Sequence, residues 1–378
     1  MIQIDEVVLH RLTMPLQFRF ETSFGVQTHR DILLAEIRTD EGLVGWGESV
    51  ALSRPLYNEE TTDSVYAFLV REGIPLLFSR QWADPAEFFP YAKTFHGNHM
   101  GKFTLEGPLW DIASQQRGVP LARLLGGAKT RVDVGVSIGI KPVQELLQEV
   151  KDYVDQGYRR IKIKVKPGWD SEPIGAIRAL FPDVPLMVDA NTAYTADDIE
   201  NLKVLDEYNL MMIEQPFAED AWDLYPIVQA ALKTPICLDE SIHTLEDAKR
   251  AIRSQACRII NVKLGRIGGI QAALDLVPVA EQAGIELWCG GMLETGIGRA
   301  FNVALATLSA FTLPGDTAAS GRYWHPDIIR PEVTVDNGQI QVPDVAGLGY
   351  AVDTDQIQRY QWAQWHFRRG QDSPKLIS

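Results

Sequence analysis

Arg159-Arg160-Ile161-Lys162-Ile163-Lys164-Val165-Lys166 alternates cation and aliphatic residue with a period of two, the signature of a β-strand. Ile161, Ile163 and Val165 share one face, and Arg160, Lys162, Lys164 and Lys166 share the other, so the strand carries a row of cations. On an open surface this would be a solvated basic patch. Helical patterns on both sides of the strand in sequence predict instead a parallel sheet covered on both faces. Covered lysines need carboxylates within reach, because an unpaired buried charge is too costly to persist.

The carboxylates arrive at regular intervals. Pro-Leu-Met-Val ends on Asp189, Leu-Met-Met-Ile on Glu214 and Pro-Ile-Cys-Leu on Asp239, while Ile-Ile-Asn-Val ends on Lys263. From Lys164 to Lys263 the steps are 25, 25, 25 and 24 residues. Short apolar strands are predicted at 132–139, 159–166, 185–190, 210–215, 235–240, 258–264 and 286–290, each followed by an amphipathic stretch. Repeated βα units of this length predict an α/β barrel of the TIM type. A doubly wound open sheet is the alternative, but it wants a Gly-rich phosphate turn, and the sequence has no G-x-G-x-x-G or Walker motif. In a barrel, active sites are built at the carboxyl ends of the strands, and five neighbouring ends would bring these groups to one volume. Helix capping could explain a single acid, but Glu is a poor cap and the lysines are left unexplained.

Three carboxylates in one site cannot all stay ionised without a cation. Ligands that are all oxygen select a hard divalent ion, Mg²⁺ with Mn²⁺ as its substitute, rather than Zn²⁺, which recruits His or Cys. Lys164 and Lys263 would flank the ion. A lysine is a base only when neutral; the metal and Lys162 are expected to depress Lys164, and Arg266 to do the same to Lys263. This constellation suits removal of a proton beside a carboxylate, with the enediolate stabilised by the metal.

The remaining sequence supplies a second body. Strands are expected at 2–14 and 31–48, turning at Asp40-Glu41-Gly42, with a loop over 18–25 and helices at about 59–77, 85–96 and 100–117. Residues 1–125 are therefore read as an α+β capping domain and 126–324 as the barrel, with the polar tail from about 325 to 378 returning to the first domain. Of the 378 residues 46% are hydrophobic and 23% charged, and the net charge of −14 would repel polyphosphate, which argues against a nucleic-acid partner. No segment is apolar enough to span a bilayer and no leader pattern opens the chain, so a cytoplasmic protein without membrane contacts is expected. Cys237, Cys257 and Cys289 lack ligand spacing and read as buried, reduced thiols.

These motifs resemble the enolase superfamily in its muconate-lactonizing-like subgroup, and more closely the o-succinylbenzoate synthase and N-succinylamino acid racemase family. The likeness runs from about residue 15 to 325. It is carried by Phe20-Glu-Thr-Ser-Phe-Gly25, Arg160-Ile-Lys-Ile-Lys164, Pro167-Gly-Trp-Asp170, Asp189-Ala-Asn-Thr-Ala-Tyr194, Glu214-Gln-Pro216, Cys237-Leu-Asp-Glu-Ser241, Asn261-Val-Lys-Leu-Gly-Arg266 and Trp288-Cys-Gly-Gly-Met-Leu-Glu-Thr-Gly296. The resemblance implies a modified (β/α)7β barrel with a capping domain. It makes Lys164 and Lys263 the acid/base pair, Lys162 the support of Lys164, and Asp189, Glu214 and Asp239 the Mg²⁺ ligands. It places Asn191, Glu240 and Arg266 behind them. Ser137, Gly291 and Met292 would meet the substrate, a small carboxylate, with Phe20, Phe24 and Tyr57 closing the mouth. Relatives dehydrate a cyclohexadiene carboxylate to 2-succinylbenzoate on the menaquinone route, racemise N-acylamino acids, or do both, commonly as dimers or larger homo-oligomers.

Other chemistries are weaker. Gly135-Val-Ser137-Ile-Gly139 matches a nucleophile elbow, which would make Ser137 an acyl-hydrolase nucleophile, but the alternation of Val134, Val136 and Ile138 reads as uninterrupted strand rather than a sharp turn. A non-catalytic barrel would not need two lysines about a metal cage. No histidine ends a barrel strand. A dipeptide epimerase would present Asp-x-Asp late in the barrel, where Asp316-Thr317-Ala318 has only the first, and a muconate cycloisomerase is the remaining alternative within the superfamily.

Overall fold

In a computed structural model of the chain, residues 1–23 and 25–371 and the backbone of 375–377 are described, and two main sheets divide the strands. The first opens with β1 (Ile4–Thr22), β2 (Gly25–Thr39) and β3 (Val44–Ser49), an antiparallel meander. Its turn at Asp40-Glu41-Gly42 falls where the sequence places it, with the Gly42 amide donating to the Thr39 carbonyl. The expected loop over 18–25 is not a loop. It forms the tip of the β1–β2 hairpin, in which Phe20 pairs with Gln27 and Thr22 with Gly25 after a register shift beyond Pro15.

The second sheet begins after a short β4 (Arg131–Asp133). Its members are β5 (Gly135–Ile138), β6 (Arg160–Lys164), β7 (Leu186–Asp189), β8 (Ile213–Glu214), β9 (Ile236–Leu238), β10 (Ile259–Val262) and β11 (Glu286–Cys289). All seven are parallel and lie in chain order. The strand expected over 132–139 is therefore two, split at Val134. The run 311–316 lies between β11 and β5, with the Leu313 amide donating to the Leu287 carbonyl and the Gly135 amide to the Gly315 carbonyl. This eighth segment closes the barrel. Sequence reading missed it because Pro314-Gly315 interrupts any strand pattern.

The tail divides between the two bodies. Of β12 (Ile329–Arg330), β13 (Gln339–Gln341) and β14 (Ala351–Val352), β12 pairs with β14, and β13 pairs with β4 beside the barrel. Among the described residues of the tail, only β15 (Gln361–Arg368) and β16 (Lys375–Ile377) join the first sheet, β15 lying antiparallel to β1.

The barrel helices form for local reasons. Leu245–Ser254 opens on a capping box between Thr244 and Asp247 and buries only the Ala248–Ala251 stripe against the sheet. The helix His99–Arg117 is different, since every residue from Met100 to Ser114 is buried between the cap sheet and the barrel. From this layer two carboxylates reach across. Glu106 accepts from the amides of Ile270 (2.7 Å) and Gln271 (2.9 Å), opening a barrel helix. Gly269 can carry no side chain there, because a Cβ would overlap the Glu106 carboxylate. Glu48 of β3 likewise accepts from the amides of Thr295 (2.9 Å) and Gly298 (2.9 Å), at the start of the helix Gly296–Leu305. All three cysteines are buried and unpaired. Among the described residues no helix is long and apolar enough to cross a membrane.

Candidate active site

The register explains the 25-residue spacing. Lys164 stands opposite Asp189, and Asp189 opposite Glu214, so β6, β7 and β8 deliver three charged side chains at one level. Glu214 pairs with Cys237, which puts Asp239 two residues farther along, facing the same side. Lys263 follows β10 directly. Asp189, Glu214 and Asp239 are almost wholly buried, at 1%, 0% and 0% exposed, too deep to remain charged without partners.

Each acid has cations of its own. Lys164 Nζ donates to Asp189 (2.5 Å) and to Asn191 Oδ1 (2.7 Å). Lys162 Nζ lies 3.2 Å from Glu214 and 3.4 Å from Asp189, and Asn261 Nδ2 donates to the other oxygen of Glu214 at 2.7 Å. Asp239 is held by Lys263 Nζ (2.7 Å), by the Arg266 guanidinium and by the Tyr57 hydroxyl, which donates at 3.0 Å. Among the described residues no three acidic, imidazole or thiol groups close on a single point at metal-ligand range. The donor set nonetheless has the character a hard dication requires: three buried carboxylates, oxygen only, on three neighbouring strands.

The electrostatics correct one expectation. Burial works against a charged Lys263, yet Tyr57, Glu240, Glu214 and Asp189 outweigh it and hold its pKa above the usual lysine value. Arg266 does not set this balance: its guanidinium is engaged by Asp239, the Ile242 and Asn261 carbonyls and the Tyr57 hydroxyl. Lys162 is also raised, with burial opposed chiefly by Asp316, then Glu214 and Asp189. Glu240 is pushed up to about 7 by burial and by Asp189, and only one of its oxygens is bonded, to Asn191 Nδ2 at 2.9 Å.

A cavity opens above these groups. It brings together Lys162, Lys164, Lys263, Asn191, Ser137, Gly291, Met292, Phe20 and Tyr57; the three acids, Glu240 and Arg266 lie beneath its floor. Tyr57 does more than close the mouth, since its ring lies 4.4 Å from Lys263 Nζ and its hydroxyl contacts both Lys263 and Asp239. Phe24 lies outside the described residues. The hairpin tip rests on the barrel rim through Ser23 Oγ, which donates to the Asn191 carbonyl at 3.2 Å, and through the Ile140 amide, which donates to the Glu21 carbonyl at 3.1 Å. Ser137 sits inside β5 with no hydrogen-bond partner for its hydroxyl, so the hydrolase reading has neither elbow nor base.

Three groups were not foreseen as site residues. Asp316, on the closing segment, is buried between Arg160 and Lys162, and both cations lie over the Trp288 ring, at 4.3 and 4.9 Å. Gln215 ties two strand ends together, its Oε1 accepting from the Asp239 amide at 2.9 Å. It has positive φ, as do Asn191, Thr192 and Leu293, all bordering the site. Such backbone costs on the order of 1–3 kcal/mol per residue and collects at functional sites. Asn261 opens the Asn261–Arg266 motif, and its signal is a polar residue two before Lys263 on an otherwise apolar strand.

Residues 145–356 match the family described as enolase C-terminal domain-like, and residues 4–126 match the mandelate racemase / muconate lactonizing enzyme N-terminal domain. The chain is 51% identical over 360 residues to an o-succinylbenzoate synthase of Geobacillus kaustophilus, covering 95% of this chain and 96% of that one. It is 44% identical over 359 residues to an N-succinylamino acid racemase of Thermus thermophilus, covering 95% and 97%. A crystal structure of an enolase-superfamily member from Listeria innocua superimposes with a TM-score of 0.95 at 38% identity, covering 98% of this chain and 100% of that one.

Proposed function

The chain belongs to the mandelate racemase / muconate lactonizing enzyme family of the enolase superfamily, and from that premise we propose that it removes the proton α to a carboxylate. Its reactions would be those of its relatives: o-succinylbenzoate synthesis, N-succinylamino acid racemisation, or both. Both substrates carry a succinyl chain ending in a free carboxylate. The observation that carries the reading is the order of groups along the barrel, Lys164 on β6 and Lys263 after β10, with Asp189, Glu214 and Asp239 on the three strands between.

Asp189, Glu214 and Asp239 would hold Mg²⁺, the usual ion of the superfamily, whose charge stabilises the negative charge that develops on the substrate carboxylate. Lys164 and Lys263 stand on opposite flanks, so each can reach one face of the α-carbon. Racemisation uses both: one takes the proton and the other returns one to the opposite face. Dehydration needs a single lysine as base and then acid, the other serving as a fixed positive charge. Asn191 aims Lys164, and Tyr57 aims Lys263. The hairpin tip and Phe20 exclude water. A dipeptide epimerase is disfavoured because Asp316 is already committed to Arg160 and Lys162 and is not free to bind a substrate ammonium.

Incubation with Mg²⁺ in D₂O tests the proposal. N-succinylamino acids should exchange the α-proton and racemise, and the cyclohexadiene precursor should lose water. Absence of exchange with every N-succinylamino acid, together with absence of dehydration, would refute it.

A further inference from the structure

Arg30 enters the cavity from β2, on the side of the cap, and is 2% exposed. Its Nη2 donates to the carbonyls of Val50 (3.0 Å) and Ala51 (3.3 Å), but Nε and Nη1 are buried without any partner. A guanidinium has five N–H donors, of which three are thus unused. The two carboxylates nearest in charge do not take them. Glu48 is committed to the amides of Thr295 and Gly298 and to the Thr295 hydroxyl, while Glu294 accepts from the Met292 amide and from Asn302. Buried charged donors left open at the wall of a ligand cavity call for a ligand that completes them, and an anion does so best. Arg299 adds a second buried guanidinium to the same cavity, with Nε unpartnered.

We propose that Arg30 binds the distal carboxylate of the substrate, so that the cavity selects dianions: one carboxylate above the lysines and acids of the barrel, the other against the cap. The inference rests on the function proposed above and deepens it. Arg30 is a specificity residue and takes no part in proton transfer. Arg299 reinforces the positive potential around the second carboxylate, offset in part by Glu294.

The test compares an N-succinylamino acid with its N-succinamoyl counterpart, in which an amide of the same shape replaces the distal carboxylate. For the unaltered enzyme kcat/KM should favour the succinyl substrate by about 10- to 100-fold, mostly through KM, the range expected for one charge-assisted contact. In Arg30→Met the ratio should collapse to within about threefold of one, and Arg30→Lys should keep an intermediate ratio. Equal losses for both substrates in Arg30→Met would overturn the proposal and leave Arg30 a pin on the Val50 and Ala51 carbonyls. If the variants do not fold, the unaltered enzyme still decides, since equal use of the two substrates refutes a distal anion site. If neither substrate turns over but the cyclohexadiene precursor loses water, the same comparison is made between that precursor and its distal amide; failure of all of these would instead refute the function on which the inference rests.

Discussion

Asp189, Glu214 and Asp239 at the barrel mouth are buried against side-chain cations, whereas Glu48, Glu60 and Glu106 are buried against the backbone N–H groups that open helices. An amide donor is neutral and fixed, so the second set can locate one element against another but offers no proton to exchange. A lysine carries a proton that it can exchange. The same residue types, equally buried, therefore serve chemistry in one place and docking in the other, and the partner decides which.

That contrast can be broken most sharply at Lys263. Lys263→Ala should lower racemisation by about 10³-fold, the scale of a lost general base or acid, while the urea midpoint stays near that of the unaltered chain; unchanged racemase turnover would sink the assignment. Stripping divalent ions with EDTA should reduce activity by about 10²-fold or more and Mg²⁺ should restore it, as a charge at the reacting carboxylate demands. Glu106→Ala should do the reverse. It leaves two buried amides open and should cost about 2–3 kcal/mol of stability in denaturant titrations, with kcat within a few-fold.

Protonation gives a second handle on the docking set. Burial pushes Glu48 and Glu106 up to about 7, so between pH 4.5 and 7 the folded chain holds protons that the unfolded chain has released. Each group then favours folding fully below pH 4.5, and that contribution is lost as pH rises through 7, on the order of 3 kcal/mol per group. Glu106→Gln should therefore gain stability relative to the parent between pH 5 and pH 8; a constant difference would contradict the shift. The smallest effect belongs to Tyr57→Phe, which removes one hydroxyl from Lys263 and Asp239 and should lower kcat by about three- to tenfold with the fold intact.

How much of this could be read in advance follows the range of the interactions. Lys164, Asp189, Glu214, Asp239 and Lys263 were legible because one βα unit repeats, and the repeat length fixes the level of each strand end. The hairpin tip around Phe20 was not, since no turn signal separates its strands and its register shifts beyond Pro15. Asp316 was seen only as half of a missing motif, because its partners Arg160 and Lys162 lie more than 150 residues away in sequence. Arg30 gave no signal at all, since an arginine on a β2 strand is ordinary until its neighbours are known.

The pairing of β15 with β1 has a consequence for biosynthesis. As the polypeptide leaves the ribosome, β1 emerges first, but one of its two flanking neighbours, Gln361–Arg368, emerges more than 300 residues later. Until then β1 presents an unpaired edge that invites partners from other nascent chains. The cap sheet is thus completed on the far side of β1 only after every strand of the barrel has emerged.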